Sequence, residues 1–139
     1  MSVQISPYLN FDGDAREAIE LYGSVFGAEP AIDTFDSVGP VDDPATAKKV
    51  MHSQVEVPGV GTVMASDVPP GTPAPPHGTI ALSGGQEERE QLHAWFAALS
   101  DGARDVMGIE TAPWGDEFGM VTDRFGTVWM VNVAGAPAT

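Results

Sequence analysis

An α+β fold of two βαβββ modules, which form a curved mixed sheet with a concave cleft, is the architecture this sequence predicts. Three observations carry it. A strand, a helix and further strands occur in that order twice along 139 residues. The apolar face of the first helix (Ile19, Tyr22, Phe26) maps onto that of the second (Leu92, Trp95, Leu99) with one constant offset of 73 residues. Between the repeats, Val68 to His77 holds five of the chain's 12 prolines, a composition that suits neither helix nor central strand. One domain over 1–139 is expected, with module one at about 1–68 and module two at about 77–135. A ferredoxin-like sandwich is the main competitor and has fewer strands.

The first strand is expected over Val3 to Phe11. Asp14 then stands at a helix N-cap position with Glu17 three residues on, a capping-box spacing, and Gly27 ends the helix. Pro30 to Phe35 reads as a strand, and Ser37 to Pro44 as a Gly/Pro/Asp-rich loop. Val50 to Val57 alternates with period two, placing Met51, Ser53, Val55 and Val57 on one face and His52, Gln54 and Glu56 on the other. Gly59 and Gly61 lead into a hairpin partner, Thr62 to Ser66. Module two repeats the order. Thr79 to Ser83 is a strand, and Gly84-Gly85 opens a helix with Glu87 and Glu88 in its first turn, where the dipole favours acids. Gly102 follows that helix. Asp105 to Thr111, Phe118 to Thr122 and Thr127 to Val133 are the last three strands, with a turn at Asp123 to Gly126.

Six basic residues against 20 acidic ones give a formal charge of −14. Such a surface repels phosphates and anionic lipids, so neither nucleic acid nor a membrane is an expected partner. There is no cysteine, which rules out disulfides and thiolate nucleophiles. With no signal-like start and no apolar run of about 20 residues, a cytoplasmic protein is expected. No Gly-x-Ser-x-Gly elbow, phosphate-cradling loop or dinucleotide fingerprint occurs.

Pro7 to Glu29 (PYLNFDGDAREAIELYGSVFGAE), Val50 to Val57, Val63 to Pro70 and Pro113 to Val133 (PWGDEFGMVTDRFGTVWMVNV) stand in this order over nearly the whole chain. They resemble the PhnB-like branch of the vicinal-oxygen-chelate superfamily, the fold of glyoxalase, bleomycin-resistance and dihydroxybiphenyl dioxygenase proteins. The resemblance implies paired βαβββ modules and a homodimer, and no particular activity. The wider superfamily holds a divalent metal with two His and two Glu on four strands. Carried onto this chain, those four positions fall at Pro7, near Ala65, near Thr79 (with His77 within two residues) and at Met130. Proline, alanine and methionine supply no oxygen or imidazole ligand. No cofactor is therefore expected, and a divalent ion is left only a non-standard set of His52, Glu56 and His77.

Pro7 and Leu9, with Ile5, are expected to share the cleft face with Met64, Ser66, Val128, Met130 and Asn132, while Trp129 packs under the helices. His52 is a polar anchor or general base, with Glu56 as its partner, or else a partly exposed strand residue. His93 falls off its helix's apolar stripe and reads as a surface residue. His77 ends the proline-rich segment and is a lid candidate. Trp114, in a Pro-Trp-Gly turn, and Phe118 read equally as a ligand wall and as structural anchors. The expected function is small-molecule binding of the glyoxalase/bleomycin-resistance type, in which relatives act by sequestration. An acidic surface suits a bulky cationic organic ligand. The alternative is a lyase-, isomerase- or dioxygenase-like enzyme built around His52 and Glu56.

Overall fold

A computed structural model describes residues 4–69 and 71–135. It contains two compact units, 1–76 and 77–139. The first unit runs β1 (Tyr8–Phe11), α1 (Ala15–Phe26), β2 (Ala31–Thr34), α2 (Phe35–Val38), α3 (Pro44–Ala47), β3 (Val50–Val57) and β4 (Gly61–Asp67). The second runs β5 (Thr79–Gly84), a 3-10 turn (Gln86–Glu88), α4 (Arg89–Ser100), β6 (Asp105–Thr111), β7 (Glu117–Thr122) and β8 (Val128–Val133). The strands form two four-stranded mixed sheets, ordered β1-β4-β3-β2 and β5-β8-β7-β6. In each, the strand before the long helix pairs in parallel with the last strand of its unit. The predicted α+β class and the duplicated βαβββ order are thus present.

Helix α1 packs on β3 and β4. Ala15, Ala18, Ile19, Tyr22 and Val25 are buried there with Leu9, Phe11, Val55, Val63 and Ala65. Gly27 closes the helix in the left-handed conformation (φ +68°), its N–H donating to Gly23 O. The N-terminus differs from expectation. Asp14 occupies the N-cap but its side chain caps nothing. Asp67, from the end of β4, does that work: its Oδ1 accepts the N–H groups of Gly13 (2.8 Å) and Ala15 (3.1 Å), and its Oδ2 that of Val50 (2.9 Å). A buried carboxylate delivered by a strand thus takes the first N–H of the helix and that of Gly13 just before it.

In the second unit α4 packs on β5, β7 and β8. Leu92, Trp95, Phe96 and Leu99 are buried with Leu82, Val121, Trp129, Val131 and Val133. Asp123, in the turn between β7 and β8, is another buried carboxylate. Its Oδ1 accepts from the N–H groups of Phe125 and Thr127, and its Oδ2 from the indole N–H of Trp129 at 2.9 Å. That carboxylate shapes the turn before β8 and fixes the largest fully buried side chain of the protein's described residues.

Local departures from expectation have local causes. The first strand spans only Tyr8–Phe11 within the described residues, and Val3 of the predicted strand lies outside them. Phe35 leaves the predicted strand to start α2, and the expected loop ends in α3, where Asp43 caps Ala45 N–H and Pro44 takes the first helical position. Gly84 closes β5, and Glu88 Oε2 accepts the Gly85 N–H, so a 3-10 turn precedes α4.

Candidate functional site

Each sheet has one face under its long helix and one face without it. Period-two alternation and the strand register assign every side chain to one or the other. In the first unit, Tyr8, Met64, Gln54 and Ala31 form one cross-strand row on the helix-free face. Asn10 pairs with Ser66 in the next row, and His52 pairs with Asp33 on the same face. The expected faces of β3 are therefore present: Ser53, Val55 and Val57 are buried, whereas His52, Gln54 and Glu56 are not.

One strand has the opposite parity to that expected. Leu9 pairs with Ala65, is 2 % exposed, and lies under α1 rather than beside Met64 and Ser66. Tyr8 and Asn10 take its place on the helix-free face. Pro7 precedes the strand and is half-buried, its carbonyl accepting from Met64 N–H. Ile5 is fully outside the core at 98 % exposure.

His52 meets Tyr8 rather than Glu56. The Tyr8 hydroxyl lies 3.3 Å from His52 Nδ1, and the rings are 5.8 Å apart. Glu56 is four residues further along an extended strand, about 13 Å away at strand rise, which takes it out of direct proton-transfer range of His52. Glu56 instead borders a shallow groove with Gln4, Ile5, Gly61 and Thr62.

In the second unit the helix-free face is more apolar. Ala81, Met130, Met120 and Met107 form a row across all four strands. Ser83, Asn132, Phe118 and Glu110 form the adjacent row, and Thr79, Val128 and Thr122 flank the other side. Met130 and Asn132 thus lie on the helix-free face of this sheet, opposite Trp129, which is fully buried beneath α4. Trp114 is 72 % exposed, so it anchors no core. It borders a groove of about 210 Å³ with Met107, Glu110, Thr111 and Phe118. Asp116 holds the segment behind this rim, accepting the Gly135 N–H at 2.8 Å and contacting the Asn132 amide at 3.4 Å.

The other two histidines have structural partners. His77 Nδ1 lies 2.7 Å from the hydroxyl of buried Thr127, which pins it to the turn before β8 instead of leaving it as a lid. His93 is half-buried rather than a free surface residue. Its Nε2 lies 2.8 Å from Glu117 Oε2, and Arg89, one turn earlier, donates to Glu117 Oε1 at 2.5 Å. The Arg89 guanidinium foremost, and His93 second, hold the Glu117 carboxyl below its ordinary value of 4.5. A lowered folded-state pKa stabilises the protein above the ordinary carboxylate range, and the contribution fades as pH falls through the folded value. Glu117→Gln is therefore expected to lower the urea midpoint at pH 7, with the gap to wild type narrowing as pH falls below the ordinary carboxylate range. A gap of constant size across that range would contradict the assignment.

The donor set does not fit the divalent metal of the wider superfamily. Ala65 is buried under the helix, Thr79 is exposed, and Met130 offers a thioether. Among the described residues no group of three or more His, Cys, Asp or Glu is placed to hold an ion.

A family model described as 3-demethylubiquinone-9 3-methyltransferase matches residues 3–132. The chain belongs to this PhnB-like family. Protein PA1353 from Pseudomonas aeruginosa is 37 % identical with a TM-score of 0.78, covering 95 % of this chain and 98 % of that one. The PhnB protein of Bacillus cereus is 26 % identical with a TM-score of 0.67, covering 95 % and 100 %. A glyoxalase/bleomycin resistance protein from Albidiferax ferrireducens T118 shares the fold at 17 % identity and a TM-score of 0.56, over 96 % and 100 % of the two chains. This PhnB-like chain therefore has the glyoxalase/bleomycin-resistance fold. No helix among its described residues is long and apolar enough to cross a membrane.

Proposed function

We propose that this PhnB-like protein binds a small organic molecule, preferably a planar cation, on the helix-free face of its second sheet, without the superfamily's divalent metal. The observation that supports this most is the row of Met130, Met120 and Met107 on the helix-free face, with Phe118 in the next row and Trp114 bordering the groove that Met107 and Phe118 also line. Thioethers and aromatic rings pack adaptably against flat organic surfaces, and Asn132 and Glu110 add polar points in the adjacent row. The acidic charge favours a cationic guest. The same reading carries a homodimer in the cytoplasm that meets neither nucleic acid nor membrane.

Trp95 and Trp129 are buried, so a quencher in solution reports mainly on Trp114. Titration with the planar cation acridine orange is expected to quench that emission along a saturating curve. Trp114→Phe should abolish the signal, and Met130→Ala should weaken binding by about tenfold, roughly the packing lost with one partly buried side chain. Linear, unsaturable quenching, or a curve indifferent to Met130→Ala, would sink the reading. The Tyr8–His52 contact favours a second reading, an isomerase-, lyase- or dioxygenase-like enzyme in which His52 moves a proton with Tyr8, not Glu56, as its partner.

A further inference from the structure

We propose that Met107, Met120 and Met130 together form a three-thioether site for a soft monovalent cation, copper(I). The proposal shares a face with the organic-ligand reading but does not rest on it. The three residues are direct cross-strand partners, Met107 with Met120 and Met120 with Met130, on three neighbouring strands of one sheet. Half of the chain's six methionines thus fall in a single row. Neighbouring strands lie about 4.8 Å apart, so the outer two backbones are about 10 Å apart. An unbranched side chain with three rotatable bonds lets sulfurs from both sides reach a common point above Met120. Met107 is 50 % exposed and the other two are half-buried, so the row is open to an incoming ion. The fourth member, Ala81, leaves space beside Met130.

The surroundings favour a soft cation over a hard one. Thioether sulfur is neutral, polarisable and a poor ligand for Mg, Ca or Mn, whereas copper(I) and silver(I) accept it readily. The rows on either side contain no Lys or Arg, and they place Glu110 and Asp105 at the β6 edge. Phe118 and Trp114 border the same groove as Met107, and their ring faces attract a cation. A net charge of −14 raises the local cation concentration further. No proton is released on binding, because a thioether carries none. Affinity should therefore be flat with pH near neutrality, unlike that of a histidine or thiolate site.

The test is an anaerobic titration of the intact protein with copper(I) in competition with the colorimetric chelator bicinchoninate. Wild type is expected to withdraw one equivalent. Met120→Leu, a volume-conserving change at the centre of the row, should weaken binding by at least about tenfold with an unchanged circular dichroism spectrum. Met64→Leu, on the first unit's sheet, should bind like wild type. Silver(I), a redox-inert probe, should alter Trp114 emission in wild type, and Trp114→Phe should still take up the ion. The proposal is overturned if wild type withdraws no copper(I), if Met120→Leu matches wild type, or if Met64→Leu is impaired as much. Weakening of about tenfold between pH 8 and pH 6 would point to imidazole ligands and also overturn it.

Discussion

Asp123→Ala is expected to destabilise the protein by about 3–5 kcal/mol, the sum of two or three buried donors left without an acceptor. The carboxylate is fully buried, and so are Thr127 and Trp129, whose N–H groups point at it from 3.0 and 2.9 Å. Thr127 and Trp129 are buried with the carboxylate, so each of these donors bears its own desolvation cost when the oxygens are lost. Since small domains are stable by only about 5–15 kcal/mol, the urea midpoint should fall by a large fraction. A double-mutant cycle isolates the indole bond. In a Trp129→Phe background the same Asp123→Ala change should cost about 1–2 kcal/mol less, because one donor is already gone. Equal costs in both backgrounds would show that the Trp129 contact is energetically idle.

Asp67→Ala is the second large effect, about 3 kcal/mol. Three backbone N–H groups lose their acceptor at once, two of them at the start of α1 and one at the start of β3. The helix dipole adds to the loss, since a carboxylate at a helix N-terminus is favourable. The contrast with Asp14 makes this a sharp test. Asp14 is exposed and its side chain caps nothing, so Asp14→Ala should change stability by less than about 0.5 kcal/mol. The reverse order in a denaturation series would mean that the local cap, not the strand-borne carboxylate, holds the helix.

The Asp14 reading shows where sequence reasoning stops. A capping-box spacing is visible along the chain, but a competing acceptor 52 residues from Ala15 is not. The Leu9 placement has a different cause. Leu9 and Phe11 alternate with Tyr8 and Asn10, and read by polarity alone the apolar pair belongs under the helix, where the structure has it. Anchoring the strand at Pro7 shifted it by one residue, and a one-residue shift moves every side chain to the other face. In β8 the alternation of Trp129, Val131 and Val133 with Met130 and Asn132 leaves only one sensible parity, and there the face was legible. Met120 was within reach of the same logic, being two residues from Phe118. Met107 was not, because a register shift between Met107 and Glu110 interrupts the alternation of β6. Partners that depend on tertiary proximity, such as Tyr8 with His52 and Arg89 and His93 with Glu117, leave no trace in spacing. The doubled βαβββ order was legible because periodicity, glycine punctuation and a proline-rich break all agreed.

Elemental analysis of protein purified without chelator bears most directly on the central claim, that binding here proceeds without the superfamily's divalent ion. Zinc, manganese, nickel and iron are each expected well below one equivalent, with a melting temperature that EDTA leaves unchanged. One equivalent of any of these metals in wild type, lost in a His52→Ala variant, would contradict the account and shift the assignment to the enzyme reading.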